Sequence, residues 1–358
     1  MSIDFIPLAI YTPFYYYIIL VITLFVFFEL QNKGMSNSSL GIFLLLFVTG
    51  YMGFRPISFY FGDMGTYARL FDEVDLNGAP TFEKDFVFNA YIQFSSKLMT
   101  ANLFFFTSAI LYVTPIYFAC RKWFKKYWFY AFLMAVGSFS FWAYGTNGIR
   151  NGLATSVFLF GISRDKRVFQ FLAILLAVGV HKSLMLPALG FVLAQVYNKP
   201  KVMIAFWAFC IPLSLVSGGF WEALFSNLGF DDDRLSYLTQ GNVNDDDFSS
   251  TGFRWDFLLY SATAVFAGWF YIVKKNFNDK VYFWLFNTYV FANAFWILVI
   301  RANFSNRFAY LSWFMMSMVI IYPLLKTKLV SKQNRKLAFV ILIYFLFTFI
   351  MNAILTKY

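Results

Sequence analysis

Apolar residues run along this chain in long blocks, and polar residues gather in the gaps between them. Blocks of this kind, where nearly every position is apolar, predict helices that cross or enter hydrocarbon. They fall near 8–30, 38–54, 101–120, 127–145, 149–163, 168–181, 183–197, 202–220, 255–273, 281–300, 304–325 and 337–355, twelve in all. Pro187, Pro212 and Pro323 sit inside or at the ends of these blocks, where neighbouring helices satisfy the carbonyls that a proline frees. The first block has neither a basic leader nor a small-residue cleavage site, so it is expected to stay as a helix. Two stretches break the rhythm, roughly 55–100 and 221–254, and in the first of these Phe86 to Leu98 mixes aromatic and polar residues as an interfacial helix does. The pattern predicts an all-α polytopic integral membrane protein, one transmembrane domain over 1–358 with about twelve spans and two larger loops.

Composition agrees, since 60% of the 358 residues are hydrophobic and only 13% are charged, far from a soluble globular domain. The formal charge of +11 does not point to nucleic acid, because the cations sit in short loops between blocks and form no continuous patch. They report orientation instead. Eighteen of the 29 Lys and Arg lie in the loops at Lys33, 121–126, 164–167, 199–201, 274–280 and 326–336, which makes that side cytoplasmic by the positive-inside rule. The two larger loops and both termini are then extracytoplasmic. Cys120 and Cys210 indicate neither a disulfide nor a metal site, and with one histidine in the chain a zinc centre is not expected. No cofactor is called for.

Chemistry concentrates between Tyr144 and Pro187, where Arg150 and the chain's one histidine, His181, stand at the ends of two short apolar runs joined by the turn Arg164-Asp165-Lys166-Arg167. The chain goes out and back, so both residues are expected at the same face. Each run has 13 or 14 residues, fewer than the ~20 that span hydrocarbon alone, and short or broken segments of this kind often line sites. Ionisable groups at that depth are expensive to keep and are functional candidates by default. Residue type separates the two sides as well: 14 of the 18 cytoplasmic cations are lysine, whereas outside seven of 11 are arginine, namely Arg55, Arg69, Arg150, Arg234, Arg254, Arg301 and Arg307. Guanidinium groups grip phosphate bidentately where lysine acts as a point charge. In the first loop Asp63 and Tyr67 are four apart and share a helical face, offering a carboxylate base beside a ring able to stack on a sugar. Asp231 to Asp233 and Asp245 to Asp247 lack the alternating spacing of a calcium loop and are expected to be solvated acids, with Arg234 paired to the first group.

Several stretches, taken in order, resemble the EpsG family of polysaccharide polymerases, a branch of the Wzy-type polymerases of bacterial cell-surface polysaccharide. They are Arg55 with Gly62-Asp63 and Tyr67; Glu83-Lys84-Asp85 before Phe86; Asn147-Gly148-Ile149-Arg150-Asn151-Gly152-Leu153-Ala154; His181-Lys182-Ser183 leading to Pro187; Arg234 to Tyr237; and Asn306-Arg307 with Tyr310. Asn151 stands where the family usually has glutamine. The resemblance implies a bacterial inner-membrane enzyme, its site facing the periplasm or cell exterior, related in architecture to the GT-C-like polymerases and ligases. Its substrate would be an undecaprenyl-diphosphate-linked oligosaccharide, the growing chain passing to the non-reducing end of a new lipid-linked unit. A chain-length regulator of the Wzz type and a flippase of the Wzx type are the implied partners.

Such a transfer needs a cradle for the diphosphate, a base for the acceptor hydroxyl and stabilisation of oxocarbenium-like charge. Arg150, Arg301 and Arg307 are expected to bind the diphosphate, with Arg254 or Arg55 assisting. His181 is the expected base or a phosphate hydrogen-bond donor, Asp63 the rival base, and Tyr67 the sugar-stacking ring. Two other readings share the lipid donor: a lipid-linked oligosaccharide flippase, which should line a cavity open to both leaflets, and an O-antigen ligase with a different acceptor. A membrane acyltransferase would also use a lone histidine, but no carboxylate partner for it is evident in the sequence.

Overall fold

The computed structural model describes residues 2–35, 39–77, 85–227, 252–302 and 305–355, without the side chains of 75–77 and 225–227. Among the described residues there is helix and no strand. The helices are α1 (Leu8–Asn32), α2 (Leu40–Gly53), α3 (Met64–Asn77), α4 (Phe86–Ser96), α5 (Ala101–Phe124), α6 (Trp128–Val136), α7 (Phe139–Thr146), α8 (Ile149–Ile162), α9 (Arg167–Val180), α10 (Met185–Val196), α11 (Pro200–Asn227), α12 (Trp255–Trp269), α13 (Lys280–Leu298), α14 (Ser305–Lys326) and α15 (Gln333–Phe349). Each apolar block expected from the sequence contains helix over its described residues. Among the described residues, seven segments are long and apolar enough to cross a membrane: Leu8–Asn32, Ala101–Val136, Pro200–Leu224, Trp255–Lys274, Lys280–Leu298, Ser305–Lys326 and Gln333–Leu355. Leu40–Gly53, Ile149–Ile162, Arg167–Val180 and Lys182–Val196 are apolar but shorter. The chain is therefore a polytopic helical membrane protein.

The block expected near 127–145 is not one helix. After α5 the backbone reverses at Lys125, which has φ 49°, and α6 folds back so that Trp128 and Phe132 lie against Tyr117. Gly137 and Ser138 then separate α6 from α7. A broken helix inside an apolar environment exposes carbonyls that must find donors. Here tyrosines supply them: Tyr15 donates to the Val136 carbonyl at 2.7 Å and Tyr112 to that of Phe141 at 3.0 Å. The Tyr15 ring also stacks on Trp142, with centroids 4.3 Å apart, and the Trp142 indole donates to Thr12 at 3.1 Å.

The chain forms two compact units, 1–181 with 324–358, and 182–323. In the first, α8 and α9 make an antiparallel hairpin packed on α5 and α4, with α2 on α5 and α1 on α15. The hairpin is close because an added Cβ at Gly161 would sit 2.5 Å from Ala173 Cβ. Its turn is held by Arg164, whose Nη2 donates to the Phe118 carbonyl at 3.0 Å, by Gln170 donating to the Arg164 carbonyl at 2.6 Å, and by the Lys122–Asp165 ion pair. Lys122 holds the Asp165 carboxyl below the usual carboxylate range.

In the second unit α13 packs on α10 and α11. Asn293 of α13 ties that unit together: its Oδ1 accepts from the Trp207 indole at 2.7 Å, and its Nδ2 donates to Ser261 at 3.1 Å and Ser312 at 3.0 Å. Ser261 Oγ also accepts from Trp313 at 2.7 Å. Four helices are registered by one buried network with no polar atom of Asn293 left over, which is the form a polar group must take where no water competes.

Candidate functional site

The hairpin places Arg150 in the first turn of α8 and His181 at the C-cap of α9, at the same end, as the out-and-back reading requires. Between them stands a residue the sequence did not single out as chemical. Asp85 precedes α4, and its Oδ2 accepts from Arg150 Nη1 and from His181 Nδ1, both at 2.9 Å. The Asp85 side chain is 5% exposed, His181 8% and Arg150 31%. An ionised carboxylate only accepts, so Nδ1 carries the proton and Nε2 is the ring nitrogen left for other partners. A buried acid held by two donors from the ends of one helix pair fixes the rotamers of both.

The arrival of Asp85 has identifiable causes. Its backbone is in the left-handed region, φ 50° and ψ 45°, which turns the chain into α4. α4 then lies on α9 because Gly179 has no side chain; a Cβ there would sit 2.7 Å from Val87 Cγ2 and 3.0 Å from the Phe86 ring. That contact sets Asp85 two residues before Val87 against His181 two residues after Gly179.

The first loop positions Arg150 from the other side. Arg150 Nε donates to Tyr67 Oη at 3.2 Å. Tyr67 is buried on α3, its ring edge-on to Phe88 at 5.6 Å, so it serves the guanidinium and presents no open ring face for a sugar. Burial raises the Tyr67 phenol above its ordinary pKa while Arg150 pulls the other way, and the hydroxyl is neutral. Asp63, at the start of α3, is exposed, and its backbone N–H donates to Asn147 Oδ1 at 2.8 Å. Gly62, with φ 64°, lies so close to the Asn147 amide that a Cβ would collide with it. Thus the Gly62-Asp63 pair grips the turn that opens α8, and the Asp63 carboxylate itself is not among the groups meeting at Asp85.

The remaining arginines fall elsewhere. Arg55 is 2% exposed; its guanidinium donates to the Met52 carbonyl and, at 3.2 Å, to the Thr146 carbonyl, and it lies 5.4 Å from the Phe105 ring centroid. It joins the C-terminal ends of α2 and α7, where cationic groups complement the helix dipole. In the second unit Arg254 grips Asp256 with two bonds, 3.0 and 2.7 Å, and lies 3.8 Å over the Phe257 ring. Arg301 is exposed beside the kink at Ser217 of α11, with Nη2 3.4 Å from the Leu215 carbonyl. Arg307 is half-buried in the first turn of α14. Glu83, Lys84, Asp231 to Asp233, Arg234, Tyr237 and Asp245 to Asp247 lie outside the described residues.

Four of the quoted motif stretches therefore contribute spatial neighbours in the first unit: the Gly62 and Tyr67 segment, Asp85, the Asn147 to Arg150 turn and His181. The model of the EpsG family matches residues 38–358. The chain belongs to the EpsG family. No curated protein and no solved structure matches it. EpsG membership makes this a chain of polysaccharide polymerisation in general terms and gives the Asp85 cluster a chemical setting.

Proposed function

We propose that this EpsG protein is a glycosyltransferase that polymerises undecaprenyl-diphosphate-linked oligosaccharide repeat units at the outer face of the bacterial inner membrane, with the Arg150–Asp85–His181 cluster as its reacting centre. The observation that carries the proposal is the convergence of both sequence-singled residues on one buried carboxylate. Asp85 holds His181 by Nδ1, so Nε2 is oriented as the base that takes the proton of the acceptor hydroxyl. The hydroxyl oxygen bonds to the anomeric carbon as the bond from that carbon to the diphosphate oxygen breaks, and the diphosphate leaves on its lipid. Arg150, one-third exposed and steadied by Tyr67, neutralises charge on the departing diphosphate; a contact of this kind contributes ~2 to 4 kcal/mol in a site of reduced dielectric. Arg301 and Arg307 are retained as phosphate ligands to be tested singly. Arg55 and Arg254 are assigned to holding helix ends. Asp63 is assigned to positioning the Asn147 turn, and Wzz-type and Wzx-type proteins remain the proposed partners.

The test is single-turnover conversion of the cognate lipid-diphosphate repeat unit by reconstituted protein, with product length read on a gel. Wild type should form a ladder, while Arg150→Ala and His181→Ala stay folded and leave monomer. Arg301→Ala and Arg307→Ala should each reduce turnover without abolishing it. Movement of the lipid-linked unit across the vesicle without extension would replace the polymerase with a flippase. Transfer to a different acceptor without a ladder would make it a ligase.

A further inference from the structure

A cavity of about 750 Å³ opens where the end of α1 meets the α14–α15 turn, and five cations line it: Lys33, Lys326, Lys328, Lys332 and Arg335. Its lining includes no carboxylate, and its volume is that of an ordinary small-molecule site. It lies wholly within the first unit, as the Arg150–Asp85–His181 cluster does, yet shares no residue with that cluster.

A topology signal explains cations in a loop but not their arrangement. In other cation-bearing turns several of the charges have a partner: Lys122 pairs with Asp165, Arg121 lies over Trp128, Lys126 over Tyr127, Arg164 over Phe160, and Lys274 over Trp269. Around the cavity, Lys33, Lys328, Lys332 and Arg335 have neither a carboxylate nor a ring partner among the described residues. Four exposed cations without ion-pair partners gather around one hollow, and an anion seated in the hollow would meet all of them at close range.

The wall is also built to hold its shape. Gln333, 7% exposed, accepts from Leu329 N–H at 2.7 Å and Val330 N–H at 3.4 Å, and donates to the carbonyls of Leu324 at 2.7 Å and Thr327 at 2.9 Å. All four hydrogen-bonding positions of one side chain go to fixing the segment that carries Lys326, Lys328 and Lys332. Lys332 itself sits at φ 51°, a backbone region that side-chain-bearing residues enter at a cost, which the Gln333 clamp sustains.

We infer that this cavity is a binding site for a phosphate group, distinct from the glycosyl-transfer centre. Two sources offer that chemistry, the headgroup of an anionic phospholipid and a soluble phosphate or pyrophosphate. Basic pockets at helix ends on the cation-rich side of membrane proteins take lipid headgroups in this way.

The experiment uses the full chain in nanodiscs and in detergent. One arm measures retention of phosphatidylglycerol against phosphatidylcholine by native mass spectrometry; the other measures uptake of inorganic phosphate and pyrophosphate by calorimetry. The site variant is Lys328→Gln with Lys332→Gln and Arg335→Gln. A charge-matched control carries Lys125→Gln, Lys126→Gln and Lys274→Gln. Binding should weaken about fivefold per cation removed in the site variant at low salt and stay near wild type in the control. The Arg version at Lys328 and Lys332 should retain it, which separates lost charge from lost folding. Loss in the lipid arm alone identifies a headgroup site, and loss in the soluble arm alone identifies a phosphate or pyrophosphate site. Equal loss in control and site variants, or no preference for any phosphate-bearing probe in wild type, overturns the inference.

Discussion

Replacing Asp85 by asparagine is the sharpest perturbation of the proposed centre, because it preserves shape and removes one charge. In wild type a single oxygen, Oδ2, accepts two charge-assisted hydrogen bonds at 2.9 Å. Such bonds are worth about 1.5–3 kcal/mol each, against about 0.5–1.5 for neutral ones, so two of them predict a loss near 2–3 kcal/mol. Arg150 is 31% exposed and recovers part of its share from water, which brings the expected loss to about 1.5–2.5 kcal/mol. Carried into the transition state, that is a factor of about 10 to 70 in single-turnover rate. The assay is chain extension with enzyme in excess over the lipid-linked donor, run beside thermal melting of the purified variant. Asp85→Ala should be worse, since it leaves the buried His181 N–H without an acceptor. In a cycle combining Asp85→Asn with His181→Ala, the Asp85 change should cost much less in the His181→Ala background than it does alone, because the carboxylate acts through the imidazole. A purified Asp85→Asn protein that extends chains within twofold of wild type, with an unchanged melting temperature, would refute the assignment of Asp85 as the hub.

Three further outcomes follow from contacts on single residues. Gly179→Val should drive α4 away from α9, lowering extension more than stability, whereas Gly50→Ala, where an added Cβ meets nothing within 4 Å, should leave both unchanged; rates and melting curves of the two variants compare them directly. Arg55→Leu should lower the melting temperature, by the equivalent of about 1–3 kcal/mol for each buried helix-end carbonyl left without its donor, with no specific rise in KM for donor. A stable Arg55→Leu protein with a raised KM would instead make Arg55 a ligand-binding residue. Asn293→Leu in the second unit should cost about 1–3 kcal/mol, because it leaves the buried Trp207 indole without its acceptor, and the loss is read from denaturation of the purified protein.

Helix existence was legible from the sequence because the apolar environment is declared by composition: Ile149–Ile162 and Arg167–Val180 match blocks whose ends carry Arg150 and His181, and a short polar turn leaves an antiparallel hairpin as the compact solution. The break between α6 and α7 was not legible, since Phe139 to Tyr144 continues the apolar pattern and only Gly137-Ser138 interrupts it. What decides that break is remote, namely Tyr15 and Tyr112 supplying donors to the freed carbonyls from other helices. The same limit explains Asp85. In the sequence it ends the Glu83-Lys84-Asp85 stretch, which the resemblance marks but to which no chemical role attaches, and periodicity carries no information about a loop. One physical clue was nevertheless present. An arginine and the only histidine brought to one face at membrane depth demand a nearby acceptor, and among the first-loop acids Asp85 is the one directly joined to an apolar helix. Arg55 shows why residue type alone does not fix a role: its guanidinium suits phosphate, and its place two residues after α2 brings it to helix carbonyls. In this chain the candidate site is thus marked by which helix ends meet, and residue type narrows the candidates only after that geometry is known.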